Sequence, residues 1–338
     1  MNKPKLKENA PIGVTLFSGG GGIETGLVEA GIRPGASVDC DPMDEYFSRQ
    51  IQFCRDRNFE RYGNRSYLAT VEEMAERNFP DIPREPFILH ASPVCSSFSN
   101  LGNFRGIKER PLDISAAIAT SQAISVLKPQ WFTLENVTGY QGSDSLLGIT
   151  QTLTEQKYYC KIYSIDFADY GIPQNRKRII LVAHRSRSVE DILPPKSPVK
   201  SWAFCLEGLP LTEPENLTDK QLKALMINSL KRRFESAIIQ RAGGGKIPTL
   251  RTDTETCWTI TKSVFKDQKG SGRGGAITYW DNTTRQAFRL PMRAIARICG
   301  FPDWYELPEI PSLAGSILGL SVPPLFAQQL FQQILKVR

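Results

Sequence analysis

Gly13-Val-Thr-Leu-Phe17-Ser-Gly19-Gly20-Gly21-Gly22-Ile-Glu-Thr-Gly26-Leu-Val-Glu-Ala30-Gly31 decides the fold. Val14 to Phe17 is an apolar, partly β-branched run and predicts a strand. Ile23 to Ala30 predicts a helix, with Gly31 as its C-terminal stop. The glycines between them let a ligand approach the backbone, and the helix N-terminus favours a carboxylate or phosphate there. The turn is not a dinucleotide fingerprint. Counting G-x-G-x-x-G from Gly19 or Gly20 puts Glu24 or Thr25 at the last glycine. A tight strand-to-helix turn without a ligand is the plainer alternative.

The same alternation continues outward. Ala36-Ser-Val-Asp39-Cys40-Asp41-Pro42 predicts a second strand ending in carboxylates, where ribose hydroxyls are commonly held. The same residues also suit a turn and a helix N-cap. Glu45 to Ala75 reads as helix, polar loop and short strand. Phe87-Ile-Leu89 predicts a buried strand that breaks into Ala91-Ser-Pro-Val-Cys95-Ser-Ser-Phe-Ser99. A cysteine on a loop just past a strand end sits where open α/β sheets place their chemistry, although a free cysteine more often only fills space. Asn100 to Pro111 is polar, glycine-containing and basic, and suits a loop that closes over a substrate. Leu112 to Leu127 has helical periodicity. Gln130 to Leu134 predicts a strand ending in Glu135-Asn-Val, a candidate general acid or a turn cap. Tyr170-Gly-Ile-Pro-Gln-Asn-Arg176-Lys-Arg178 leads into the strand 179–183. On an extended backbone, Arg176 and Arg178 share one face and suit phosphate or a base edge. Strands alternating with helices from 14 to 183 predict a mostly parallel, doubly wound sheet.

Composition bounds the function. The chain has 338 residues and a formal net charge of +7. That excess favours a polyanionic partner. Seven cysteines show no CxxC or CxxH spacing, so no metal site is expected. Their unpatterned scatter fits a reducing cytosol. No apolar run reaches the length of a membrane span, and Met1 to Pro11 lacks the apolar core of a secretory signal.

Phe17-Ser-Gly-x-Gly-Gly, Ser92-Pro-x-Cys95-x-x-Phe-Ser, Glu135-Asn-Val and Gln174-x-Arg176-x-Arg178 occur in order. They are followed by Arg289-Leu-Pro-Met-Arg293 through Gly300-Phe-Pro-Asp303, and by Leu318-Gly-Leu-Ser321-Val-Pro-Pro324. Together these resemble the ordered motifs of the cytosine-C5 DNA methyltransferases. The resemblance implies a Rossmann-like α/β fold of the class I methyltransferases with a smaller inserted target-recognition domain. Residues 1–190 and 312–338 would form the catalytic domain, 191–289 the inserted domain and 290–311 a hinge.

It also implies roles. Cys95 is the expected nucleophile, Glu135 the acid at the base, and Arg176 and Arg178 their supports. Phe17, Gly19, Gly22, Asp39, Cys40, Leu112 and Ser321 are expected to hold S-adenosylmethionine. Ser99, Arg105, Arg241, Lys246, Arg251 and Arg273 are expected at double-stranded DNA. The implied enzyme is a cytoplasmic, prokaryotic monomer that marks a short DNA site. An RNA (tRNA) cytosine methyltransferase and a catalytically weak DNA-binding relative are the other two readings. The chain departs from the family at Val94 (usually Pro), Ser96 (usually Gln), Leu320 (usually Asn), Thr15 (often Asp) and Asp39 (often Glu). Thr70 stands where an acidic residue is expected.

Overall fold

The computed structural model describes residues 2–94, 98, 109–240, 247–265 and 276–337. Its larger sheet contains β1 (Ile12–Leu16), β2 (Arg33–Val38), β3 (Arg65–Tyr67), β4 (Ile88–Ala91), β5 (Trp131–Val137), β6 (Tyr159–Asp166) and β7 (Lys177–His184), in the order β3-β2-β1-β4-β5-β7-β6. The pairs from β3 to β5 are parallel, and β7 runs antiparallel to both β5 and β6. The sheet is therefore mixed rather than simply parallel.

Helices α1 (Gly22–Ala30), α2 (Glu45–Phe59), α3 (Val71–Glu76), α4 (Pro111–Leu127) and α5 (Asp144–Glu155) fill the connections. Local signals set their ends. Gly31 caps α1 at φ +86°, in the left-handed region that glycine enters at little cost. Thr70 forms a capping box with Glu73, which explains the hydroxyl at that position.

Alternate strand residues serve opposite faces of the sheet. Leu89, Phe132, Leu134, Ile179 and Leu181 join the core beneath α3, α4 and α5. Ile88, Trp131, Ile180 and Val182 join a second core with Ile23 and Leu27 of α1. That second core is completed from the C-terminus. Phe326, Leu330, Phe331 and Ile334 come from α9 (Pro324–Lys336), which follows α8 (Pro311–Leu320). Gly26 lets α1 and α9 meet, since a Cβ there would stand 2.4 Å from the Ala327 Cβ.

A smaller antiparallel sheet has β8 (Pro214–Glu215), β9 (Ser236–Gln240), β10 (Leu250–Thr252), β11 (Ile277–Asp281) and β12 (Gln286–Arg289), in the order β10-β9-β11-β12-β8, with α6 (Asp219–Ser229) beside it. It lies within the stretch 191–289. Ile238 and Ile277 of this sheet share a core cluster with Ile295 and Ile298 of α7 (Met292–Ile298) and Ile317 of α8. Residues 290–311, expected as a hinge, thus contribute buried side chains including Phe301 and Tyr305.

Candidate active site

The parallel registers bring four strand ends into one row. Leu16 pairs with Val38 and with Ala91, and Ala91 pairs with Leu134. Phe17, Asp39 and Ser92 therefore leave the sheet along one edge, level with Glu135 on β5. Antiparallel β7 starts at that edge, with Arg178 opposite Val137. Residues distant in sequence converge because carboxyl ends of parallel strands face one way.

Glu135 departs from its expected place at the end of a strand. β5 continues to Val137, because β7 still pairs with residues 135–137 after β4 has stopped at Ala91. Glu135 sits where one neighbour has ended, and it is 6% exposed. Arg178 Nε lies 2.8 Å from Glu135 Oε1. The contact is an ion pair by distance, but among the described residues Oε1 has no hydrogen-bond partner, so it keeps accepting capacity in a buried place. Asn136 Nδ2 donates to the Pro93 carbonyl at 3.1 Å, tying β5 to the chain that enters the cysteine segment.

The two arginines do not pair as expected. Arg176 precedes β7, so strand alternation does not govern it. It is 3% exposed, and its Nη1 donates to the carbonyls of Gly319 at 2.9 Å and Ile260 at 3.4 Å. It fastens α8 and the segment at Ile260 to the sheet edge, while Arg178 turns to Glu135.

The glycine turn has two sides. Gly19 has φ +51° and open space where a Cβ would stand. The next three face protein. A Cβ on Gly20 would lie 2.5 Å from Ile317, on Gly21 2.3 Å from Phe59, and on Gly22 2.7 Å from Ser321. Only Gly19 is shaped by free space, and the others are glycine because α2, α8 and the following residues press on the turn. Phe17 at φ +57° is a strained conformation for a bulky residue, of a kind that collects at functional sites.

Asp39 accepts a hydrogen bond from the Gly19 backbone and keeps part of its surface in solvent. Burial raises its pKa, opposed by the Arg55 charge. Arg55 is fully buried; its Nε donates to Ser66 Oγ and its Nη1 to the Gly19 carbonyl, both at 2.7 Å. Glu24 is also fully buried, and its Oε1 accepts from Thr15 Oγ1 at 2.6 Å. Burial raises the Glu24 pKa, again opposed by Arg55. This explains the Thr at 15: a second carboxylate there would face Glu24. Arg55, Glu24 and buried His90 carry no motif signal in the sequence.

Cys40 and Ser321 are partly exposed, and Leu112 is exposed in the first turn of α4. Leu320 is also exposed, so its side chain turns to solvent. Arg251 pairs with Glu255 at 3.0 Å, and Arg232 reaches the same carboxylate at 2.9 Å. Cys95, Ser99, Arg105, Arg241, Lys246 and Arg273 lie outside the described residues. The six described cysteines, Cys40, Cys54, Cys160, Cys205, Cys257 and Cys299, are free thiols. Burial pushes each of them up, to about 12 for Cys205 and Cys299. None is a ready thiolate. Among the described residues no cluster of His, Cys, Asp and Glu can hold a metal ion, and no helix is long and apolar enough to cross a membrane.

The profile of the family described as C-5 cytosine-specific DNA methylase matches residues 13–336. The Type II methyltransferase M.NlaX of Neisseria lactamica is 26% identical over 316 residues, covering 91% of each chain. M.HhaI of Haemophilus parahaemolyticus is 25% identical over 319 residues, covering 91% of this chain and 89% of its own. The crystal structure of the S. pombe Dnmt2 methyltransferase superposes with a TM-score of 0.64 at 17% identity, over 97% of this chain and 99% of that one. It shares the fold.

Proposed function

This chain belongs to the C-5 cytosine-specific DNA methylase family, and from that premise we propose that it methylates C5 of cytosine within a short, specific sequence of double-stranded DNA. We place it in, or close to, a prokaryotic restriction-modification system, as the Type II names of its relatives suggest. The observation that carries the reading is the convergence of Phe17, Asp39, Ser92, Glu135 and Arg178 on one sheet edge.

The residues present fit S-adenosylmethionine. Gly19 offers open backbone and Asp39 an acceptor for ribose hydroxyls at the end of β2. Phe17, Cys40 and Leu112 complete the pocket in this reading, while Gly22 and Ser321 close it by packing on one another. When bound, S-adenosylmethionine supplies the electrophilic methyl group.

The protein's part is to make C5 nucleophilic. The target atom is inaccessible in a duplex, so the base is turned out of the stack. The Cys95 thiolate adds to C6 while Glu135 shares a proton with N3, which gives C5 enamine character. Arg178 holds the Glu135 carboxyl in place. Loss of the C5 proton afterwards restores the ring and expels the thiolate. Arg251, with Arg241, Lys246 and Arg273, is assigned to the DNA surface.

Transfer of labelled methyl groups to DNA and to tRNA, side by side, tests the substrate class. Label in DNA only, located at one short sequence by bisulfite sequencing, is expected. Label confined to tRNA replaces the reading with an RNA methyltransferase, and label in neither leaves a DNA-binding relative.

A further inference from the structure

We propose that His90 is a positioning residue for methyl transfer, fixing the Ser92–Pro93 entrance of the cysteine segment to β5, the strand that carries Glu135. The proposal rests on the roles given above to Cys95 and Glu135.

His90 and Thr133 are register partners of β4 and β5. His90 Nδ1 lies 2.9 Å from Thr133 Oγ1, and His90 Nε2 lies 3.0 Å from Ser92 Oγ. Thr133 stands two residues before Glu135, so both side chains share one face of β5. One imidazole therefore joins the start of the nucleophile's segment to the strand of the acid. His90 is 5% exposed, among Ile23, Ile180, Val322 and Phe326.

Burial lowers its pKa to about 3, so the ring is neutral at working pH. A neutral imidazole has one donor and one acceptor nitrogen, and a hydroxyl can satisfy either. Both ring nitrogens are thus engaged, and the group neither takes nor gives a proton in the reaction.

Among the described residues, the ring is one of three ties on this entrance. The Ser92 N–H reaches the Leu16 carbonyl at 3.4 Å, and the Pro93 carbonyl accepts from Asn136. The family's usual proline before the nucleophile is Val94 here, which frees the backbone at that residue. Fixing Ser92 recovers order that the proline would give. Displacement of a reacting group by an ångström costs about 10²-fold in rate.

The test is covalent capture of duplex DNA containing 5-fluorocytosine, with Ser92→Ala, Thr133→Val, His90→Leu and the double variant Ser92→Ala/His90→Leu. The expected result is capture slowed about 10- to 100-fold in Ser92→Ala, with cofactor and DNA affinity within about twofold of wild type. His90→Leu loses about as much and the double variant no more, because both break one tie. His90→Gln, whose amide can still meet Ser92, recovers part of the rate. If His90→Leu does not fold, Ser92→Ala and Thr133→Val carry the test. Capture at the wild-type rate in the folded variants, additive losses, or losses explained by weaker cofactor binding overturn the proposal alone. A wild type that captures nothing overturns the reading of Cys95, and this proposal with it.

Discussion

Arg178 and Glu135 form an ion pair at 2.8 Å on one edge of the sheet, although they stand 43 positions apart in sequence. The pairing of β5 with β7 explains the meeting. Glu135 faces Ile180 directly, and Arg178 is its diagonal neighbour on the same face. The side chains of Arg178 and Glu135 are only 15% and 7% exposed. Such a pair is costly to break from one side, because the remaining charge is left buried.

Glu135→Gln should keep the shape of the site and lose about 10²–10⁴ in turnover, since an amide cannot transfer a proton. Cognate DNA should still bind. Arg178→Ala should lose activity and also about 3–5 kcal/mol of stability, read by urea unfolding. Turnover near wild type in Glu135→Gln would show that Glu135 serves only to hold Arg178.

Asp39→Ala should weaken S-adenosylmethionine binding by about 1.5–3 kcal/mol, the range for a hydrogen bond to a charged group. The Gly19 backbone loses its acceptor in the same step. Titration calorimetry measures the change. Unaltered affinity would place the ribose elsewhere.

Gly20→Ala should destabilise the protein by about 1–3 kcal/mol through overpacking, because its Cβ would lie 2.5 Å from Ile317. Ile317→Ala in the same chain should return part of that loss. A double-mutant cycle by urea unfolding checks it, and additive losses would mean that the glycine answers to a ligand rather than to α8.

Acid should weaken the fold through His90. Its folded pKa of about 3 lies below the ordinary 6.5, so the unfolded chain binds the extra proton between them. The stabilising contribution is complete above about pH 6.5 and is lost as pH falls toward 3. From pH 7 to pH 5 the wild type should lose about 2 kcal/mol more than His90→Asn. Glu24 and Asp39, with raised pKa values, act oppositely, favouring the fold at low pH and losing that effect as pH rises. Both proteins share them, so the difference between the two urea series isolates His90. Parallel curves would contradict its neutral burial.

The strand, turn and helix from 13 to 31 were legible because each has its own period and punctuation. Asp39, Glu135 and Arg178 are legible as candidates through motif order, and the strand registers set them along one end of the sheet. The continuation of β5 to Val137 was not, because it depends on β7, a partner far along the chain. The smaller sheet is equally hidden: its strands are two to five residues long, and β9–β11 and β8–β12 pair across long separations. Arg176 stands one residue before β7 begins, so the alternation that would set it beside Arg178 does not reach it. His90 looked like any residue in a buried strand, since nothing local announces that Thr133 and Ser92 will meet its two nitrogens. The packing of Gly20, Gly21 and Gly22 against Ile317, Phe59 and Ser321 is likewise not legible, because those partners lie far along the chain.

The central claim is that Cys95 attacks cytosine. A pool of random-sequence duplexes carrying 5-fluorocytosine, incubated with the protein and S-adenosylmethionine, tests it most directly. Fluorine cannot depart from C5 without its bonding electrons as a proton does, so the adduct should persist, and mass spectrometry should find it on Cys95 and nowhere else. Cys95→Ser should form none while still binding DNA. Methylation of ordinary DNA by a wild type that leaves no adduct on Cys95 would contradict the account.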